Sequence, residues 1–130
     1  MTESRFRHLW IAAIVVVVVV IVAGSLIPFP VLPDETGSDK FGHYLAYLVL
    51  AALASGIVEP ARLWRVMLRC FLLGLGLEAA QALMTDNRIA EWGDLLANAA
   101  GILTAWLIAG GGRAGWGFRA ATRLIRSRGP

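Results

Sequence analysis

Two polar side chains interrupt the apolar stretch Leu72–Met84, LLGLGLEAAQALM: Glu78 and Gln81. A carboxylate in such a run costs about 2.5–3.5 kcal/mol at the centre of a bilayer on insertion scales. Residues that carry this cost face a bundle interior or a water-filled cavity, and there they serve as proton, ion or ligand sites. Glu78 is therefore the first acid–base candidate. A second group, Asp39, Lys40, His43 and Tyr47, precedes another apolar run. Asp39, His43 and Tyr47 recur every fourth residue and share one helix face. An imidazole changes its protonation state near neutral pH, so His43 is the second acid–base candidate. Asp39 equally suits the amino end of a helix, where a carboxylate accepts from first-turn amides. A third group is Arg88 with Asp94, Asn98 and Gly101, the last three again on one face. A guanidinium such as Arg88 holds a phosphate or carboxylate through paired hydrogen bonds. Its plainer use is to clamp a loop against Asp94.

The elements that must position these groups are membrane spans. The chain has 130 residues, 58% hydrophobic and 16% charged, against about 45–50% and 25% for a soluble domain. The uncharged run Leu9–Phe29, at about 1.5 Å per helical residue, crosses a hydrocarbon core of about 30 Å. Its Val15–Val22 segment is nearly all β-branched, but in lipid the backbone must satisfy its own hydrogen bonds, which makes it helical. Pro28, Pro30 and Pro33 end it. Further spans are expected over 41–58, 65–84 and 92–110. The expected fold is an all-α integral membrane protein, a four-transmembrane-helix bundle filling 1–112, followed by a basic amphipathic tail helix in 113–130.

Charge orients the spans. Of the twelve Lys and Arg residues, only Lys40 and Arg88 fall in the first and third loops. The rest lie at the amino end, in the second loop and in the tail, where Arg119, Arg123 and Arg126 sit at helical spacing. The positive-inside rule puts both termini of this multi-pass protein in the cytoplasm. Arg5 and Arg7 before an apolar run also suit a signal peptide with Ala23-Gly24-Ser25 near its cleavage site, but the run exceeds the usual core of about 7–15 residues. The tail is expected to lie on anionic lipid at the inner face. It carries no nucleic-acid recognition motif, and no nucleic-acid partner is expected.

With this topology the second and fourth spans begin at the outer face and the third ends there. Asp39, Lys40, His43, Glu78, Gln81, Arg88, Asp94 and Asn98 then all fall in the outer half. Small residues at Gly42, Ala46, Gly74, Ala97, Gly101 and Ala105 allow the close helix approach that would bring them together. The same small-residue faces suit a homo-oligomer.

These residues also carry a family likeness. The segments DKFGHYLAYLVLA at 39–51 and GLEAAQALMTDNRIAEWGDLLANAAG at 76–101 resemble the VanZ-like family of small membrane proteins. The shared features are Asp39, Lys40, His43 and Tyr47, the Glu78/Gln81 pair, Arg88, and the Asp94, Asn98, Gly101 run. The likeness covers residues 36–105 or so, and Ala90 departs from it where a small polar residue is expected. The founding member is associated with low-level resistance to the glycopeptide teicoplanin, so the resemblance implies a role in the cell envelope.

Three functions fit these residues. In the first, Asp39, Lys40, His43, Tyr47, Glu78, Gln81, Arg88, Asp94 and Asn98 bind the head group of an outer-leaflet lipid or lipid-linked cell-wall precursor. In the second, Glu78 or His43 acts as the base of an enzyme on a lipid-linked substrate, with Arg88 stabilising charge. In the third, the cluster only holds the helices of a structural subunit together. The lone Cys70 excludes an internal disulfide. No P-loop, dinucleotide fingerprint or serine triad is present, and no cofactor is expected. No metal is expected either: one histidine on the outer side leaves zinc with an unusual ligand set, although Asp39, Glu78 and Asp94 are the hard oxygen donors a divalent ion takes.

Overall fold

Hydropathy and proline together delimit the first helix. In the computed structural model, α1 spans Glu3–Leu26 and stops short of Pro28, as chains do ahead of a proline. The structure describes residues 3–27, 38–84, 92–110 and 114–127. Among them are α2 (Ser38–Ser55), a single 3-10 turn (Pro60–Arg62), α3 (Leu63–Met84), α4 (Trp92–Gly110) and α5 (Trp116–Ser127). No strand occurs among the described residues. Pro60 opens the turn before α3, where its missing N–H costs nothing.

Among the described residues, three helical segments are long and apolar enough to cross a membrane: Glu3–Leu26, Pro60–Met84 and Trp92–Ala109. The expected second span, 41–58, is different. Its helix begins and ends earlier, as Ser38–Ser55, and is not among the three. The reason is in its composition, since Asp39, Lys40 and His43 occupy its first turns. What α2 lacks in apolar length it makes up in enclosure. Tyr47, Leu50 and Ala51 are buried, in a core completed by Met67, Cys70, Leu77, Ile102, Ala105 and Ala109.

α2 and α4 run parallel and touch backbone to backbone. At Gly101 of α4, an added Cβ would strike the carbonyl of Tyr44 and lie 2.9 Å from the amide nitrogen of Leu48. The pairing continues through Tyr44 Oη, which donates to Thr104 Oγ1 at 3.2 Å. By contrast Gly42, counted above among the close-packing residues, has open space where its Cβ would be.

The carboxyl end of α2 is held by other elements. A helix leaves its last carbonyls without internal partners. Here Trp10 Nε1 of α1 donates to Leu53 O (2.8 Å) and Trp116 Nε1 to Ala52 O (3.1 Å). Gly115 N donates to Ser55 O at 2.8 Å. Trp10 packs edge-on against Trp116 with centroids 5.1 Å apart, and its ring leaves no room for a Cβ at Gly56 or Gly117. These contacts gather the start of α1, the end of α2 and the start of α5 at one end of the molecule. On α5, Ala121 is buried while Arg119 and Arg123 are exposed; the side chain of Arg126 lies outside those described. Arg113 likewise lies outside the described residues.

The close α2–α4 contact has a direct consequence. Gly101→Ala should lower stability in detergent by about 1–3 kcal/mol, the cost of overpacking. Gly76→Ala, where an added Cβ meets nothing within 4 Å, should leave the unfolding midpoint unchanged or slightly raised. Thermal unfolding of the two variants followed by circular dichroism checks both.

Candidate functional site

The opposite end of the molecule holds the polar cluster. Along α2, Asp39, His43 and Tyr47 descend one face from solvent into the core. The Asp39 side chain is 63% exposed and that of His43 17%, while Tyr47 is 2% exposed. Along α4, Asp94 and Asn98 face them and are both buried. Along α3, Gly74, Glu78 and Gln81 form the third wall, all buried. Parallel packing of α2 and α4 sets the register, so that residues early in each helix meet residues early in the other.

The contacts are specific. His43 Nδ1 lies 3.2 Å from Asn98 Oδ1. An amide oxygen only accepts, so Nδ1 carries a hydrogen and donates. The other ring nitrogen, Nε2, faces two carboxylates, with Asp39 Oδ1 at 3.9 Å and Asp94 Oδ2 at 3.8 Å. One turn deeper, a Cβ on Gly74 would sit 3.2 Å from both Asn98 Nδ2 and the Tyr47 ring. Gly74 thus lets the tyrosine and the carboxamide lie flat against α3. Glu78 is close enough to act electrostatically on the Tyr47 phenol, which ties α3 into the cluster. Lys40 extends over the first turn of α4, where a Cβ on Gly93 would be 2.6 Å from its Cε.

Of the residues singled out in the sequence, Asp39, Lys40, His43, Tyr47, Glu78, Asp94 and Asn98 therefore meet at one end. Gln81 is at the same end, but its Nε2 donates to Ser25 O of α1 at 2.7 Å. That carbonyl lies in the last turn of α1, where no intrahelical donor remains. Gln81 thus closes the end of α1. Arg88 lies outside the described residues. Gly93 and the Tyr44–Thr104 pair are not among the residues singled out in the sequence. The first had a signal: a glycine inside the opening turn of a helix, where it costs about 1 kcal/mol relative to alanine, often marks a close approach.

A family model described as VanZ/LLP1 matches residues 6–111. The chain belongs to the VanZ-like family. The match reaches further than the likeness read from motifs, since it takes in α1 as well as α2 to α4. It ends before α5. No curated protein and no solved structure matches the chain.

The cluster is acidic. Among the described residues at this end, Asp39, Glu78 and Asp94 stand against Lys40 as the one cation that is charged without an added proton. Its outside is apolar: Leu72, Leu75, Leu83, Leu96 and Leu103 are all exposed. Polar inside and apolar outside is the arrangement for a chain whose solvent is lipid.

The hydrogen bond from Gln81 generates a prediction. Gln81→Leu keeps the volume but removes the donor to Ser25 O. Unfolding of the purified protein should become easier by about 0.6 kcal/mol and at most about 1.7 kcal/mol, the range for interhelical bonds in membranes. Cross-linking between cysteines placed at the ends of α1 and α3 should fall in parallel.

Proposed function

We propose that this VanZ-like protein is a four-span protein of the bacterial inner membrane with both termini in the cytoplasm. In this reading it binds the polar head of an outer-leaflet lipid or a lipid-linked cell-wall precursor. The observation that carries the reading is the graded cluster from Asp39 through His43 and Asn98 to Tyr47 and Glu78. It is buried at its floor and open at its mouth. Placing α2 in the membrane is supported by its packing against α4, which buries Tyr47, Leu50 and Ala51 in the core. The orientation is supported by the arginines of α5 and of the α2–α3 connection, which lie at the end away from the cluster. In the proposed bilayer those arginines meet the anionic inner leaflet, and the cluster opens outward.

In this reading Lys40 and Arg88 supply charge to a phosphate or pyrophosphate. His43, Asn98 and Tyr47 hydrogen-bond its neighbouring polar groups, and Glu78 and Asp94 set the orientation. Protection against a glycopeptide such as teicoplanin would follow from altered amount or accessibility of the antibiotic's surface target.

One observation favours a second reading. Glu78 is 6% exposed and acts electrostatically on the Tyr47 phenol, a placement suited to a base acting out of water. An enzyme using Glu78 or His43 as base on a lipid-linked substrate would differ from a binding protein in turnover alone.

Native mass spectrometry tests the proposal. The purified protein should retain outer-leaflet lipids or lipid-linked precursors selectively. Glu78→Gln and Arg88→Ala should each lose that retention by about tenfold or more, as expected when one charged partner of a buried contact is removed. Equal retention by all three proteins overturns the reading and leaves Glu78 as interhelical glue. Conversion of a retained lipid to product by the parent, absent in Glu78→Gln, would favour the enzyme.

A further inference from the structure

We infer that Asp39, His43 and Asp94 form a binding site for a divalent metal ion, with Asn98 as the residue that orients the imidazole. The inference stands apart from the lipid reading, since it needs only these side chains and an ion.

Three facts carry it. The first is tautomer. His43 donates from Nδ1 to Asn98 Oδ1 at 3.2 Å, so the lone pair of a neutral ring is on Nε2, pointing away from Asn98. A metal-binding histidine has this arrangement, with its second nitrogen donating to an oxygen that fixes the ring.

The second is distance. Nε2 stands 3.9 Å from Asp39 Oδ1 and 3.8 Å from Asp94 Oδ2. Hydrogen bonds of this type are about 2.7–3.2 Å long, so these separations are too wide for a shared proton. The three donor atoms all lie within 4.8 Å of one another. A point equidistant from three atoms so spaced is at most about 2.5 Å from each, within the range of about 2.0–2.6 Å for divalent ions with nitrogen and oxygen ligands.

The third is exposure. His43 and Asp94 are mostly covered, with side chains 17% and 12% exposed, whereas Asp39 stands at the mouth. An ion there has a fixed inner side and an open outer side for water or a further oxygen ligand. Two carboxylate oxygens and one imidazole nitrogen suit a borderline divalent ion such as Mn2+ or Zn2+.

Along the chain alone no metal is expected, because His43 has no second histidine on the outer side. Only the parallel docking of α2 on α4 brings Asp94 to the same nitrogen as Asp39.

The test uses the full-length protein in lipid nanodiscs and MnCl2 alone. Electron paramagnetic resonance should show one tightly bound Mn2+ per chain, and its spin echo should be modulated by a directly bound nitrogen. His43→Gln should abolish the nitrogen modulation. Asp39→Asn, an exposed position at which folding is not in question, should weaken Mn2+ binding by about tenfold or more. Circular dichroism confirms that His43→Gln remains helical; if it does not, Asp39→Asn decides. The absence of bound Mn2+, nitrogen modulation that survives in a folded His43→Gln variant, or unchanged affinity in Asp39→Asn would each overturn the inference. His8, hydrogen-bonded to Ser4 near the opposite end, is the only other histidine, so a surviving nitrogen signal has an identifiable source.

Discussion

The contact on which the rest depends is the meeting of two helix backbones at Gly101. Because α4 has no side chain there, it lies against the Tyr44 carbonyl and the Leu48 amide of α2. That contact fixes how far α2 can slide along α4. A helix rises about 5.4 Å per turn, so a slip of one turn would take His43 out of its position between Asn98 and Asp94. Parallel helices also place like ends together, and here the like ends are the two that begin with carboxylates and a histidine.

The two ends of α2 are treated oppositely. At its carboxyl end, orphan carbonyls are taken up by the indoles of Trp10 and Trp116 and by the amide of Gly115. Gly115 has a positive φ of 72°, which turns the chain back from α4 into α5 at low steric cost. The aromatic packing then fixes α5 against the bundle. The amino end is left open to side-chain chemistry, with Asp39 exposed and Lys40 laid over α4. One end is closed by hydrogen bonds to backbone, and the other presents side chains that can still take a ligand.

The exterior is apolar almost everywhere that α1, α3 and α4 face outward. α1 is extreme: of its residues only Ile21 is buried, and Val15, Val16, Val19 and Val20 are largely exposed. In water such a helix would be a liability, but in lipid it needs no partner along most of its length. Its hydrogen-bonded attachments lie near its ends, through Trp10 at one and the Gln81 bond to Ser25 at the other, while Ile14, Val17, Val18 and Ile21 pack on the core between them.

Local pattern decided much of this. Apolar length and proline placed α3, α4 and the end of α1 within a few residues, because those signals act within one segment, whereas α1 begins six residues before its uncharged run. The four-residue spacing put Asp39, His43 and Tyr47 on one face, and Asp94 with Asn98 on another. The motifs around them were specific enough to point to the VanZ-like family. What the tertiary structure alone decided was which face meets which. It gave Gln81 to the end of α1, set Asn98 on one nitrogen of His43 and two carboxylates around the other, and laid Lys40 over Gly93. The physical reason is that periodicity fixes direction around a single helix, whereas partners follow from the register between helices, and that register rests on small residues such as Gly101 whose contacts are distant in the chain.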